Sequence, residues 1–561
     1  MRARVLLLLL VAPQLPQFAS AASHPVWARQ SMVVSQEAVA SRVGVEAMRD
    51  GGNAVDAAVA TAFALAVTHP AAGNIGGGGF LLYRPATGEP VAYDFREAAP
   101  AAATPTMFLK DGNYDSALHH DSYLSVGVPG TVAGLHLAWK EHGALPWRRL
   151  VQPALDLARD GFTVSDALAR SLASILPEMQ RHPAFVAQFS KQGTPYAPGD
   201  VLRQPDLARS LERIRDQGPA GFYEGETAAL IENEMKVGGG LITRDDLGAY
   251  RAKPRVPLRG SYRGCEVIAI PPPSSGGTAL LEMLNLLELY DLAAKGFGSA
   301  AHLHLLAESM RRAFADRALF LGDPDFAPEI PIARLISKEY AAELRRSIPP
   351  ERASVSSPAM FSWPAESHET THLSVADAAR NAVALTYTLE QSYGSRVVVP
   401  GAGFLLNNEM GDFNAVPGLT DAEGLIGTEP NLARPRARML SSMTPTILAK
   451  DGRLFMVTGS PGGRTIINTV LQTILNVVDF GMNVQEAVDA PRIHHEWLPD
   501  RLEHERWGFS PDTLALLASR GHALAEVPDQ GIVEAIVYDA KQDLLEGASD
   551  RRARDGAAVG R

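Results

Sequence analysis

Two strand-like segments lie almost end to end in this chain, residues 369–377 and 381–389, and they restrict its fold more than any other part. Both are rich in β-branched and aromatic residues and alternate between two faces, which predicts a hairpin turning at Ala378, Ala379 and Arg380. If Ala376 faces Ala382, antiparallel register sets Thr370 opposite Thr388 on one face. Two hydroxyls then share one site.

A threonine hydroxyl is a poor nucleophile until a base takes its proton, and a threonine that begins a chain carries such a base in its own α-amine. That amine has a reference pKa of roughly 8, so it is partly neutral near pH 7. The chemistry requires a cut between Glu369 and Thr370. The preceding stretch from Ser354, with Pro358 and Pro364, reads as a mobile, extended linker that tolerates a break. Taken alone, the threonine-rich run fits an ordinary edge strand better, since threonine is a common strand residue.

Other motifs decide between the two. Residues 370–375 and 386–389, Leu406 to Phe413 around Asn407-Asn408-Glu409, Leu440 to Thr446 around Ser441-Ser442, and Gly459-Ser460-Pro461-Gly462-Gly463 resemble, in order, the small subunit of γ-glutamyltranspeptidases, also called glutathione hydrolases. Gly73 to Phe80, Asp94-Phe95-Arg96-Glu97 and Val128-Pro129-Gly130-Thr131 resemble the large subunit. The resemblance implies an N-terminal-nucleophile hydrolase fold, an α/β class αββα four-layer sandwich with the two subunits interlaced. It divides the chain into a signal peptide (1–21), a large subunit (22–369) and a small subunit (370–561) that starts on the catalytic threonine.

The same resemblance assigns the site. Thr370 is the nucleophile, Thr388 orients it, and Glu369-Thr370 is the cleavage point. Arg96, Ser441 and Ser442 take the substrate carboxylate, while Asp412, with Glu409 beside it and Glu390 nearby, takes the ammonium. Gly462 and Gly463, just before a helix, form an oxyanion hole, where N–H groups at a helix start attract negative charge. The implied partners are glutathione or other γ-glutamyl compounds as donors and amino acids or dipeptides as acceptors. Two departures stand out: Glu390 occupies a position where many members carry Asn, and Glu423 one where many bacterial members place a lid Tyr. A related amidase with another acyl group, and a non-catalytic periplasmic binding protein of the same fold, are the alternatives.

Composition excludes other classes. With 46% hydrophobic and 20% charged residues the chain is globular, and its formal charge of -11 argues against a nucleic-acid surface. The basic start, the apolar run from Val5 to Ala12 and the small residues Ala19-Ser20-Ala21 read as a secretory signal, so the protein is expected to be exported, to the periplasm in a double-membraned bacterium. No later apolar run is long enough to cross a bilayer. Cys265 is the sole cysteine and reads as a buried structural thiol. The histidine pairs His119-His120, His302 with His304, and His494-His495 have the wrong spacing for shared metal ligands, and adjacent side chains are expected to point apart. No metal and no cofactor are expected. The glycine cluster Gly76 to Gly79 lacks the ending of a phosphate loop and reads as close backbone packing.

Overall fold

Strand alternation sends successive residues into two different cores. The computed structural model describes residues 23–357, 370–419, 421–422 and 427–561. Among them, Val33, Leu81, Val383 and Leu385 enter one core, and their neighbours Val34, Leu82, Ala382 and Ala384 the other. A sheet buried on both faces results.

That sheet has seven strands in the order Ala557–Gly560, Met32–Ser35, Thr371–Ala376, Ala382–Thr388, Gly78–Arg84, Val91–Phe95 and Lys253–Arg255. A second seven-stranded sheet runs Val26–Ala28, Leu544–Ser549, Glu534–Asp539, Arg453–Gly459, Thr446–Lys450, Cys265–Ala269 and Leu258–Tyr262. Every pairing within both is antiparallel. Both sheets contain strands from before and from after position 370, hydrogen-bonded to one another. A chain broken ahead of Thr370 would therefore stay interlocked through its ladders.

Helices close both outer faces. Ala54–Thr68 is buried along its whole length against the first sheet. It forms there because Asn53 and Asp56 close a reciprocal capping box, and because its alanines let the backbone lie close to the strands. Gly276–Leu287, Ala300–Phe320 and Thr465–Val478 cover the second sheet. Ser299 caps Ala300–Phe320 by accepting from the His302 N–H. The result is the expected helix–sheet–sheet–helix sandwich. No helix among the described residues is long and apolar enough to cross a membrane.

Candidate active site

The hairpin takes the expected register. Ala376 pairs with Ala382 and Thr371 with Tyr387, and the turn is held by the Asp377 carboxylate, which accepts from the N–H groups of Ala379 and Asn381. One step beyond the ladder Thr370 donates its hydroxyl to Thr388 Oγ1 at 3.4 Å, and both side chains are buried. Thr388 Oγ1 also accepts from the Glu390 N–H at 2.9 Å. That contact needs a sharp reversal, and Glu390 supplies it with a φ of 78°, a left-handed geometry that costs a non-glycine residue roughly 1–3 kcal/mol. From behind, Asn74 Nδ2 donates to the Thr388 carbonyl, and Asn74 Oδ1 accepts from Gly77 N and Thr131 Oγ1. A Cβ on Gly77 would lie 2.0 Å from that same carbonyl. The glycine cluster is thus a close-packing element, as read from sequence.

On the other side of the threonine pair stands Arg96, which follows the strand Val91–Phe95 and is fully buried rather than in a surface salt bridge, the default for an isolated arginine. Its guanidinium meets the carboxylates of Glu409 and Asp412, with Glu97 at 3.5 Å, and donates to the carbonyls of Met439 and Leu440. The adjoining loop carries Ser441 and Ser442, which are buried and not exposed loop serines. Ser275 Oγ donates to the Ser441 carbonyl and Ser274 Oγ to the Met443 carbonyl. Arg317 then bridges the two segments, donating to Ser275 Oγ at 2.7 Å and Ser442 Oγ at 2.9 Å.

Three carboxylates around one guanidinium leave the site short of positive charge. Burial pushes the Glu409 carboxyl well above the usual range, against the pull of Arg96, with Glu97 and Asp412 adding to the rise. Burial likewise lifts Glu97, up to about 8. Burial opposes the charge on Arg96, but Glu409, Asp412 and Glu97 outweigh it and hold the guanidinium firmly charged. So few positive charges in a dry site cannot support full ionisation of every acid. Glu390 has its own partner, His120, whose Nδ1 lies 3.2 Å from Glu390 Oε1. Burial works against the charged imidazole, yet the bond to Glu390 and its field raise the His120 pKa. Gly411 makes room for this pair, since a Cβ there would lie 2.5 Å from His120 Nδ1.

One small cavity of about 20 Å³ gathers these groups, with Thr370, Thr388, Glu390, Arg96, Glu409, Asp412, Ser441, Ser442 and Gly463 on its wall. Gly462 stands one residue back. Gly462 and Gly463 have φ values of 131° and 55° and lead into the helix Thr465–Val478, their carbonyls accepting from the Thr465 and Ile466 N–H groups. Apart from Gly462 and Glu369, the site residues expected from sequence line one cavity, with Asp412 and Glu409 engaged on Arg96.

Several expectations change or fall elsewhere. Glu369, Glu423 and the segment 1–21 lie outside the described residues. The start of the proposed linker is pinned, not mobile: Ser354 donates N–H and hydroxyl to Glu308, and the Ser356 N–H donates to Asp500. The His119 and His120 rings do not diverge but sit 4.3 Å apart, and His120 belongs to the site. Asn74, His120 and Arg317 were not foreseen. His304, two positions from His302, instead meets His522 at 2.9 Å, near Glu308. Cys265 is buried, and burial raises its thiol pKa.

Two stacked antiparallel sheets between helix layers, with a threonine at the head of a central strand, are the architecture of the N-terminal-nucleophile hydrolases. The chain belongs to the γ-glutamyltranspeptidase family, whose family model matches residues 40–560. It is 49% identical to the glutathione hydrolase proenzyme of Escherichia coli K12 over 542 residues, 96% of this chain and 93% of that protein. A cephalosporin acylase structure from Bacillus halodurans superposes with a TM-score of 0.85 at 27% identity, covering 99% of both chains. The γ-glutamyltranspeptidase of Helicobacter pylori is 46% identical with a TM-score of 0.55, covering 56% of this chain and 91% of that one.

Proposed function

We propose that the protein is a self-cleaving γ-glutamyltransferase and glutathione hydrolase that works through a threonyl acyl-enzyme. The observation that carries this reading is the single cavity uniting Thr370 and Thr388 with Arg96, Asp412 and Ser441-Ser442. A hydroxyl pair lies at one end and a set of groups for an α-amino acid at the other. A γ-glutamyl chain has that amino acid end and a carbonyl a short distance away. Its carboxylate takes Arg96 and the serine hydroxyls, its ammonium takes the displaced acids Asp412 and Glu409, and Glu390 closes the ammonium side. The exchange supplies the positive charge that the empty cluster lacks.

In the precursor, Thr370 Oγ attacks the Glu369 carbonyl carbon, the peptide C–N bond breaks, and the acyl group passes to oxygen as an ester. Water hydrolyses that ester, leaving a Glu369 carboxylate and a free Thr370 amine. In turnover, the amine accepts the Thr370 hydroxyl proton while Oγ bonds to the γ-carbonyl carbon. The N–H groups of Gly462 and Gly463 meet the developing oxyanion, each such donor being worth about 3 kcal/mol. When the tetrahedral adduct collapses, the amide C–N bond breaks and the leaving nitrogen takes the proton back from the Thr370 ammonium. Water or an acceptor amine then attacks the ester carbon and gives its proton to the same base, the C–Oγ bond breaks, and Thr370 Oγ takes that proton back. Residues 1–21 act, in this reading, as an export signal for the periplasm.

The likeness to an acylase supports a second reading, with another acyl group on the same threonine. The charged pocket around Arg96 argues for an α-amino acid end instead. Purified protein is expected to split into two fragments and to release nitroaniline from γ-glutamyl p-nitroanilide but not from the glutaryl analogue, which lacks the ammonium. Equal rates on the two would favour the acylase reading.

A further inference from the structure

Glu390, a carboxylate where many family members carry Asn, lines the same cavity as Thr370 and Asp412 and has a histidine of its own. A carboxylate only accepts, so His120 Nδ1 donates to Glu390 Oε1, at 3.2 Å. A Cβ on Gly411 would lie 2.5 Å from that nitrogen and 2.9 Å from that oxygen, so the pair packs on the turn Glu409–Asp412, whose two acids hold Arg96. Asn408 fixes both partners. Its Nδ2 donates to the His120 carbonyl, and its Oδ1 accepts from the N–H of Gln391, next to Glu390. An asparagine at 390 would present an uncharged oxygen and give the imidazole no charge to answer.

The groups around His120 pull in two directions. Burial opposes its charge, while Glu390, Asp412 and Asp121 favour it, Asp121 being itself 3.3 Å from Arg396. The His119 ring, 4.3 Å away, is kept neutral by burial and meets the Tyr114 hydroxyl at 3.1 Å. That hydroxyl keeps its proton near pH 7, because burial and Glu390 raise its pKa to about 12. Glu409 also feels Glu390: burial pushes its carboxyl well above the usual range against Arg96, with Glu97, Asp412 and Glu390 adding to the rise.

A second cation changes this balance. The ammonium of a γ-glutamyl donor enters at Glu390 and Asp412, the two carboxylates that favour the imidazolium. Like charges on shared partners repel, and the imidazole can give up its charge near pH 7. It loses the Nε2 proton to water, with which its side chain keeps contact at 15% exposure. The Nδ1–H bond to Glu390 survives that loss, so only the charge changes.

Resting on the γ-glutamyl reading above, we propose that His120 is a positioning residue that sets donor affinity through Glu390. The imidazolium and the donor ammonium share that carboxylate, so the donor binds with release of the His120 Nε2 proton.

The test follows KM and kcat for γ-glutamyl p-nitroanilide from about pH 6 to about pH 8. In the wild type KM is expected to fall by about tenfold as pH rises, the size of one charge's field on another roughly 4–6 Å away. His120→Gln keeps a donor to Glu390 without the charge and is expected to hold KM at the low, high-pH value throughout. Glu390→Asn removes the shared carboxylate and gives a flat KM at a higher value. A histidine that only supports the fold would shift KM alike at every pH. A wild-type KM that does not fall overturns the proposal, and so does a fall that persists in His120→Gln, which would place the proton on Glu409. Calorimetric titration with L-glutamate, in two buffers of different ionisation enthalpy, counts the protons released. His120-dependent release by a protein that frees no nitroaniline contradicts the γ-glutamyl reading alone. Turnover with no such release contradicts the role of His120 alone.

Discussion

Thr370 and Thr388 face each other across one hairpin with their hydroxyl oxygens 3.4 Å apart, and the Glu390 N–H binds the second of them from the far side. Thr388 therefore has a fixed position from which to hold the nucleophile. Thr388→Ala is expected to lower kcat by about 10–100-fold, the range of one hydrogen bond to a reacting group, while Thr388→Ser recovers most of it. Steady-state kinetics on γ-glutamyl p-nitroanilide check this. A Thr388→Ala enzyme of wild-type kcat would remove Thr388 from the mechanism.

Arg96 touches Glu97, Glu409 and Asp412 together. Arg96→Ala leaves those acids facing one another in a dry site and is expected to cost about 3–5 kcal/mol of stability. Arg96→Lys keeps the charge but loses the planar fork, so it should fold and raise the donor KM by about tenfold or more. Thermal melts and donor titrations read the two effects separately.

Glu97 gives stability a pH slope. Its folded pKa, about 8, lies above the ordinary 4.5, so the folded state holds the proton more tightly than the unfolded one. Its contribution is complete below pH 4.5 and is lost as pH rises through about 8. One such group can change stability by up to about 1.4 kcal/mol per pH unit within that window. Glu97→Gln is expected to flatten the slope, and denaturant melts between those limits would show it.

The His120 imidazole is expected to titrate above its ordinary 6.5, because Glu390 and Asp412 favour the cation more than burial opposes it. The His120–Glu390 bond then contributes fully below 6.5 and is lost as pH rises through the higher folded value. An NMR titration of His120 in wild type and Glu390→Gln checks this. A midpoint in the wild type at or below that of the variant would contradict the pairing.

What sequence revealed and what it withheld follow from the range of each interaction. The threonine pair was legible because strand period and one alanine pairing, Ala376 with Ala382, fix the register through six paired residues. The capped helices were legible for the same reason: Asn53 and Ser299 act within a turn. His120 was missed because its partner lies 270 positions away, and two adjacent histidines carry no local sign of it. Arg317 looked like any residue of an amphipathic helix until the fold brought Ser275 and Ser442 to it. The pinned Ser354 was misread for a related reason. Proline and serine describe a loop's own stiffness and say nothing about the Glu308 waiting across from it.

Whether Thr370 acts through its own freed amine is decided by intact-mass analysis with N-terminal sequencing of the purified protein, run beside the nitroanilide assay for wild type and Thr370→Ala. A smaller fragment beginning at Thr370 is expected in the active wild type, and a single uncut, inactive chain for the variant. Full activity in a wild-type chain whose Thr370 nitrogen is still acylated by residue 369 would contradict it.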